Sequence, residues 1–576
     1  MLPTKIACTA PRVSVANPRV NADAIIEASK QAAEAGCQFI LFPELCLTGA
    51  TCGDLFNMDA LHKAAEEAVE RIAAALSDTD ICVVFGTPRL RKGVLQNCAL
   101  ALHRGETVAE AAKIVNNEES RWFKDGEGMA AFALTVNGGL IHAGIGFGRP
   151  KEAPVGVDIL LCLDASPTFV GSYDMLLDDL RHTSSLTSAP VVYINAGFGE
   201  STTDFVYGGE GLVMRNQDIL FTAPRFQIES SVHFVEIPEG KPAESTVFLS
   251  AGCLQSGFLP IKQPARNRFL QEALSIQTVA LAKRFLHTRA QKLVLGVSGG
   301  LDSTLAMIVC AEALRVLNRP GKDLLTVTLP GYGTSGRTYQ NARRLMELFG
   351  ADAREISIKA ACEQHFDDIG HDRRPDLTFE NTQARERTQI LLDLAGMHGG
   401  LVVGTGDMTE LALGFATYNG DHMSSYGVNA GVPKTAARAL VRFAAESGMY
   451  SEDINRVLLD VADTPISPEL LPPLETGDIA QKTEEIVGPY ELNDFFLYKF
   501  LSCSCSPESI LEAAETCFDY TRDYLIAQLN SFHKRFFTQQ FKRSCLPDGP
   551  QVFRVSLSPR DGFIMPSDAD GMVWQL

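Results

Sequence analysis

The sequence predicts an α/β chain made of two successive layered domains. Three observations carry this. Short apolar runs alternate with helical patterns through residues 1–240. Residues 241–264 are turn-rich with little periodicity, as a linker is. From 265 to 576 apolar strands recur with long helices between them, the pattern of a parallel, doubly wound sheet. At 576 residues the chain is also too long for one hydrophobic core.

In the first region the strand candidates are KIACTA (5–10), QFILFP (38–43), ICVVFG (81–86), CALALH (98–103), AFALTV (131–136), LIHAGIGF (140–147), DILLCL (158–163), PVVYIN (190–195) and GLVMRN (211–216). ADAIIEASKQAAEAG (22–36) spaces its apolar residues by three and four and ends on glycine, which predicts an amphipathic helix. Beyond the linker, FLQEALSIQTVALAKRFLHTR reads as a long amphipathic helix. LVLGVSGGLDSTLAMIV (293–309) then reads as strand, small-residue turn and helix, and LLTVTLPG (324–331) and GGLVVGTG (399–406) supply further strands. No internal repeat or low-complexity segment is present.

Composition narrows the function. The chain is 45% hydrophobic and 21% charged, with a net charge of −19. That balance argues against a nucleic-acid or anionic-membrane partner, while leaving room for a local basic pocket. The 14 cysteines contain no C-x-x-C pair, and Cys503-x-Cys505 stands alone, so zinc is not expected. No basic-then-apolar leader opens the chain, and no apolar run reaches the ~18 residues of a membrane span. The plain expectation is a cytoplasmic protein with free thiols.

The turn Ser298-Gly299-Gly300-Leu301-Asp302-Ser303-Thr304 carries the first chemical signal. Glycines at a strand-to-helix turn let backbone N–H groups converge on one anion, and the helix N-terminus adds partial positive charge. Ser298, Ser303 and Thr304 add hydroxyls. The loop lacks the lysine of a nucleotide-hydrolysing P-loop and carries Asp302 instead. A carboxylate beside phosphate calls for a cation between them, Mg2+ being the natural choice.

SGGLDST resembles the PP-loop of the N-type ATP pyrophosphatases, which hold the pyrophosphate of ATP while chemistry happens at the α-phosphorus. Four downstream stretches, PGYGTSGRTYQNA (330–342), DLTFENTQARERTQILLDLA (376–395), VVGTGDMTELALGFATYNGDHMSSYGVNAGVPKT (402–435) and FKRSCLPDGPQVFRVSLSPRDGFIMPSDA (541–569), together resemble the synthetase domain of glutamine-dependent NAD synthetases. The resemblance implies ATP-dependent amidation of deamido-NAD+ to NAD+ through an acyl-adenylate, with AMP and pyrophosphate released. It implies that Gly296, Val297, Ser298, Gly299, Gly300, Leu301, Asp302 and Ser303 bind ATP phosphates and that Thr405 contacts ATP. Asp302 would ligate Mg2+, and Glu410 would ligate Mg2+ or contact the deamido-NAD+ substrate. Asn381 and Arg385, four apart, would face deamido-NAD+ from one helix. Phe415, Ala416, Thr417 and Tyr418 would line the nicotinate site. Asp421, Lys434 and Lys542 would complete the polar shell, the lysines neutralising phosphate. A homo-oligomer is also implied.

QFILFPELCLTGATCGDLF (38–56) resembles the amidase domain of the nitrilase superfamily, an α-β-β-α sandwich that releases ammonia from glutamine through a Glu, Lys and Cys triad. Glu44 and Lys113 match the glutamate and lysine, and GESTTDFVYGG (199–209) matches the end of the domain. The cysteine does not match. GIGFGRPKEAP (144–154) places Gly148 where the thiol should stand and Arg149 where a glutamate should follow. Cys162, the nearest cysteine, lies inside a strand that reads as buried. Ala50 stands where the family has tyrosine. The expectation is a degenerate amidase joined to a working synthetase that takes ammonia. The alternatives are a fully bifunctional glutamine-using enzyme with a displaced nucleophile such as Cys162, a non-catalytic nucleotide sensor, and an amidating synthetase of GMP or asparagine type.

Overall fold

The computed structural model describes residues 4–136, 138–151, 154, 156–187, 189–238, 257–333, 336–465 and 487–576. Most of the expected linker, 241–256, lies outside them, as do parts of the stretch 144–154. The chain divides into two compact units, Met1–Ser201 with Val206–Ala251, and Thr202–Phe205 with Gly252–Leu576.

In the first unit the strands are β1 (Thr4–Cys8), β2 (Phe39–Leu41), β3 (Cys82–Arg91), β4 (Val94–His103), β5 (Glu106–Ala112), β6 (Ala130–Val136), β7 (Gly139–Phe147), β8 (Ile159–Asp164), β9 (Val191–Asn195), β10 (Gly211–Arg215), β11 (Asp218–Thr222) and β12 (His233–Ile237). They form two six-stranded sheets, ordered β12-β1-β2-β3-β4-β5 and β11-β10-β9-β8-β7-β6. Helices α1 (Pro18–Glu34) and α2 (Asp59–Ala75) cover the first sheet, and α3 (Ser172–Leu186) covers the second.

The period-two alternation of each strand decides which layer a residue joins. On β1, Ile6 and Cys8 point into the core between the sheets, while Ala7 meets the helices. On β8, Ile159, Leu161 and Leu163 face the same central core, while Leu160 and Cys162 pack against Leu176 and Leu180 of α3. Both strands are buried on both faces, which is why they read as continuous apolar runs. The α-β-β-α sandwich expected of this unit is the one observed.

The second unit opens with α4 (Ala265–Thr288) and the strands are β13 (Lys292–Gly296), β14 (Leu324–Thr328), β15 (Asp352–Glu355), β16 (Gly400–Gly404) and β17 (Tyr426–Gly427). Its helices continue with α5 (Leu301–Val316), α6 (Gly336–Leu348), α7 (Lys359–Ile369), α8 (Leu377–His398), α9 (Met408–Leu413), α10 (Lys434–Glu446) and α11 (Glu452–Ala462). Four more are α12 (Tyr490–Cys503), α13 (Pro507–Cys517), α14 (Arg522–Thr538) and α15 (Gln540–Arg543). All neighbouring strand pairs are parallel, in the order β15-β14-β13-β16-β17, as the doubly wound reading requires. Helices α7 and α8 bury Phe366, Phe379 and Leu394 against Val294, Val327 and Val402 of the sheet. Helix α5 is buried nearly all round from Leu301 to Leu314, which explains its weak amphipathic pattern. No helix among the described residues is long and apolar enough to cross a membrane.

Candidate functional site

The strand order fixes where a ligand can sit in the second unit. The chain winds outward from β13 through β14 to β15, then returns to the other side of β13 as β16. Loops leaving the carboxyl ends of β13 and β16 therefore diverge and leave a crevice. Both loops are the ones singled out by sequence, 297–300 and 405–407. Buried Asn429 ties them together, its Nδ2 donating to the Asp302 carbonyl at 3.0 Å and the Thr405 carbonyl at 3.1 Å. Gln277 of α4 holds that amide in place by donating to Asn429 Oδ1 at 3.0 Å.

The loop after β13 is built around Gly299. Its φ of +87° lies in the left-handed region, and a Cβ there would overlap the Thr338 carbonyl. Gly300 then caps α5 with extended backbone, leaving the first-turn N–H groups of Leu301, Asp302 and Ser303 without intrahelical acceptors. Ser298 Oγ accepts from Gly300 N at 3.1 Å and lies 3.2 Å from Ser303 Oγ, so both hydroxyls converge on the helix N-terminus.

The loop after β16 enters α9 through a capping sequence, Asp407-Met-Thr-Glu410. Asp407 Oδ1 accepts from Thr409 N at 2.8 Å and Glu410 N at 2.9 Å. Its other oxygen meets Lys434 Nζ, which also donates to Asp302 Oδ2 and Glu410 Oε1, each at 2.8 Å. Carboxylate oxygens of Asp302, Asp407 and Glu410 lie within 4.8 Å of one another. Burial drives the Glu410 carboxyl up to about 7 against the pull of Lys434, and burial holds Asp407 well above the usual carboxylate range. For Lys434 burial acts downward, but the three carboxylates outweigh it and raise the ammonium well above its ordinary value.

Three oxygen-bearing carboxylates around one point suit a hard divalent cation. Asp302 Oδ1 is buried with no hydrogen-bond partner among the described residues, so one acceptor there is uncommitted. The residues present therefore fit Mg2+, with Asp407 joining the two ligands expected from sequence.

A cavity of about 770 Å³ opens at this crevice, and of the synthetase-type candidates only Gly299 and Lys434 do not line it. Asn381 and Arg385 face it together from α8. Phe415, Ala416, Thr417, Tyr418 and Asp421 form another wall, where Arg385 Nε donates to the Tyr418 carbonyl at 3.3 Å. Asp421 is held by Thr417 N at 2.6 Å.

The two lysines differ from expectation. Lys434 is 1% exposed and its ammonium is committed to carboxylates, so it does not offer a free charge to phosphate. Lys542 Nζ donates to the carbonyls of Gly414 and Ala416, each at 2.7 Å, and so braces the loop after α9. Sequence spacing gave no sign of either arrangement, because the partners of Lys434 come from two distant loops.

In the first unit, Glu44 sits just beyond β2 on a turn where Leu45 has φ +52°, a strained value for leucine. Its backbone lies so close to β3 that a side chain at Gly86 would overlap it. Glu44 is 1% exposed, and its Oε1 accepts from Lys113 Nζ at 2.7 Å and Asn97 Nδ2 at 2.6 Å. Burial pushes its carboxyl up to about 7. Lys113 also donates to Glu119 Oε1 at 2.7 Å. Burial opposes its charge, but Glu44 and Glu119 hold its ammonium above the ordinary lysine value. Sequence reading missed Asn97 and Glu119, although Glu119 stands only six residues beyond Lys113. Ala50 N–H donates to Glu200 Oε1 at 2.8 Å.

Gly148 follows β7 with φ +57°, an elbow conformation. The nearest side-chain atoms to a Cβ built there would be those of the Asp164 carboxylate, at 3.8 Å. Cys162 faces α3 rather than this elbow, and burial raises its thiol far above the ordinary range. Cys46, two residues past Glu44, packs under α1 and α2 and is pushed up to about 12.

Comparison with known proteins places both units. The family model described as NAD synthase matches residues 275–459, and that described as carbon-nitrogen hydrolase matches residues 5–149. This pairing defines a carbon–nitrogen ligase that carries a hydrolase-type sandwich. Glutamine-dependent NAD(+) synthetases of Mycobacterium leprae and of Mycobacterium tuberculosis H37Rv are 30% and 31% identical, each alignment covering 99% of this chain and 97% of the relative. The fold is also that of the crystal structure of a glutamine-dependent NAD(+) synthetase from Cytophaga hutchinsonii, with TM-score 0.81 at 22% identity, covering 99% of this chain and 98% of that one. The chain belongs to the glutamine-dependent NAD+ synthetase family, whose members amidate deamido-NAD+ to NAD+.

Proposed function

We propose that this synthetase draws its nitrogen from free ammonia and that its first unit has lost glutaminase chemistry. Gly148 carries the proposal. Amide hydrolysis in this superfamily needs a thiolate to form a thioester, and glycine offers no attacking atom. Cys162 and Cys46 are no substitutes, since each is packed on a helix-facing layer where burial disfavours the thiolate. Glu44 and Lys113 then persist as a paired, buried remnant.

In the synthetase half the nicotinate carboxylate of deamido-NAD+ attacks the α-phosphorus of ATP. The new O–P bond forms as the bond to the β-phosphate bridge breaks, and pyrophosphate leaves. Ammonia then attacks the acyl carbon, loses a proton, and AMP departs with the electron pair of the C–O bond. The first-turn N–H groups of α5 and the hydroxyls of Ser298 and Ser303 would hold the leaving pyrophosphate. Asp302, Asp407 and Glu410 would hold Mg2+, which when bound neutralises phosphate charge. Thr405 would contact ATP, Asn381, Arg385 and Asp421 would position the dinucleotide, and Phe415 to Tyr418 would receive the nicotinate ring. Preorganised charge and positioning carry the first step, without a protein nucleophile. Boundaries near 240 and 265, a homo-oligomeric assembly and a cytoplasmic location belong to the same reading.

The test is NAD+ formation from deamido-NAD+ and Mg-ATP with saturating glutamine in one reaction and ammonium chloride at mildly alkaline pH in another. Product with ammonium alone is the expected result. Equal rates with glutamine would show a working nucleophile and sink the proposal.

A further inference from the structure

Helix α10 begins at Lys434 behind Pro433, a residue with no side chain able to cap it. The cap comes from elsewhere. Asp494, on α12 and buried to 4% exposure, accepts from Thr435 N at 2.8 Å and Thr435 Oγ1 at 2.6 Å through Oδ2. Its Oδ1 accepts from Thr409 Oγ1, and that hydroxyl oxygen in turn accepts from Lys434 N at 2.9 Å. One carboxylate thus ties together the first turns of α9 and α10. The neighbour of Thr409 on α9 is Glu410, and the neighbour of Thr435 on α10 is Lys434. Tyr490, one turn before Asp494 on the same helix, places its ring 5.2 Å from Lys434 Nζ.

We infer that Asp494 is a positioning residue for the synthetase reaction: it sets the distance between Glu410 and Lys434 and so fixes the charge geometry around Asp302 and Asp407. The inference rests on reading that cluster as the phosphate and cation centre. Asp494 lies outside residues 275–459, the part of the chain matched as NAD synthase, so the motifs of that region do not include it. Three hydrogen bonds onto one buried carboxylate exceed what a helix cap alone needs. The bond to Thr409 does more than cap α10, since it orients the hydroxyl that accepts from Lys434 N. It joins the two elements that carry the opposite charges.

Asp494→Asn keeps the volume and can still accept from Thr435, but it turns an amide NH2 toward the Thr409 hydroxyl, whose proton loses its charged acceptor. A small shift of reacting groups costs on the order of tenfold to a hundredfold in rate. In ammonium-driven NAD+ synthesis, Asp494→Asn is therefore expected to lower kcat by about tenfold or more, with the KM for deamido-NAD+ little changed. It is also expected to raise the Mg2+ concentration giving half-maximal rate. Thr409→Val should reproduce the effect, Thr409→Ser should restore it, and the Asp494→Asn/Thr409→Val pair should be no worse than either alone. Should Asp494→Asn fail to fold, Thr409→Val and Thr409→Ser carry the same comparison. A folded Asp494→Asn with a lower melting temperature but unchanged kcat and Mg2+ dependence overturns the inference. Asp302→Asn separates the two levels, because Asp302 is one of the carboxylates read as holding the cation. If that variant stays active, the reading of the cluster fails; if it is inactive while Asp494→Asn is normal, only the positioning role fails.

Discussion

Replacing Lys434 by methionine removes the ammonium that three buried carboxylates share, while keeping most of the side-chain volume. Lys434 is 1% exposed and touches Asp302, Asp407 and Glu410, of which Asp407 is fully buried. Breaking a buried charge set by deleting one partner costs about 3–5 kcal/mol, because the remaining charges are left uncompensated. At roughly 1.5 °C per kcal/mol for a unit of this size, the melting temperature should fall by roughly 4–7 °C. The carboxylates themselves supply the rescue. With the ammonium gone they form an oxygen-only pocket for a hard cation. Thermal melts followed by circular dichroism, with and without millimolar magnesium chloride, measure both effects. The variant should regain more of its loss with Mg2+ than the wild type gains. A variant that melts like the wild type, or that is destabilised yet indifferent to Mg2+, would refute the reasoning.

Gly299→Ala puts a methyl group into the Thr338 carbonyl and forces alanine to φ +87°, so the loop after β13 must move. The KM for ATP is expected to rise by about tenfold or more, while the strained residue alone costs about 1–3 kcal/mol of stability; steady-state kinetics and melting read both. Glu44→Gln tests the buried Glu44–Lys113 pair through pH. The Glu44 carboxyl stands near 7 when folded, above its ordinary value, so its contribution is present below about pH 4.5 and is lost as pH rises through 7. Wild-type stability should therefore fall, relative to Glu44→Gln, by up to ~3 kcal/mol between pH 4.5 and 7. Parallel urea-unfolding stabilities across that range would contradict this.

What the sequence reveals of the fold depends on burial. Every strand named from sequence is observed, and each owes its apolar run to a buried face. The unnamed strands are β5, β11, β12, β15 and β17, all at sheet edges. An edge strand covers little, so it carries polar residues: β11 reads Asp-Ile-Leu-Phe-Thr and β15 Asp-Ala-Arg-Glu. Their pairing is set by neighbours rather than by a pattern of their own.

At the candidate site the loops were legible because backbone shape writes itself into glycine, proline and capping residues. Gly299 and the Asp407-to-Glu410 cap are examples. The partners of side chains were not. Lys434 finds Asp302 across 132 positions and Glu410 across 24, and Asp494 reaches Thr409 across 85. Nothing local in the sequence records such contacts. In the first unit the sequence raised the expectation that Gly148 stands at the thiol's position, whereas the double hold of Glu44 and Glu119 on Lys113 required the structure.

The most direct test of the account is a competition for nitrogen. Deamido-NAD+ and Mg-ATP are supplied with amide-15N glutamine and unlabelled ammonium at equal concentrations, and the NAD+ formed is weighed by mass spectrometry. The account predicts unlabelled NAD+ throughout. NAD+ carrying 15N would mean that glutamine is hydrolysed in the first unit, and would contradict it.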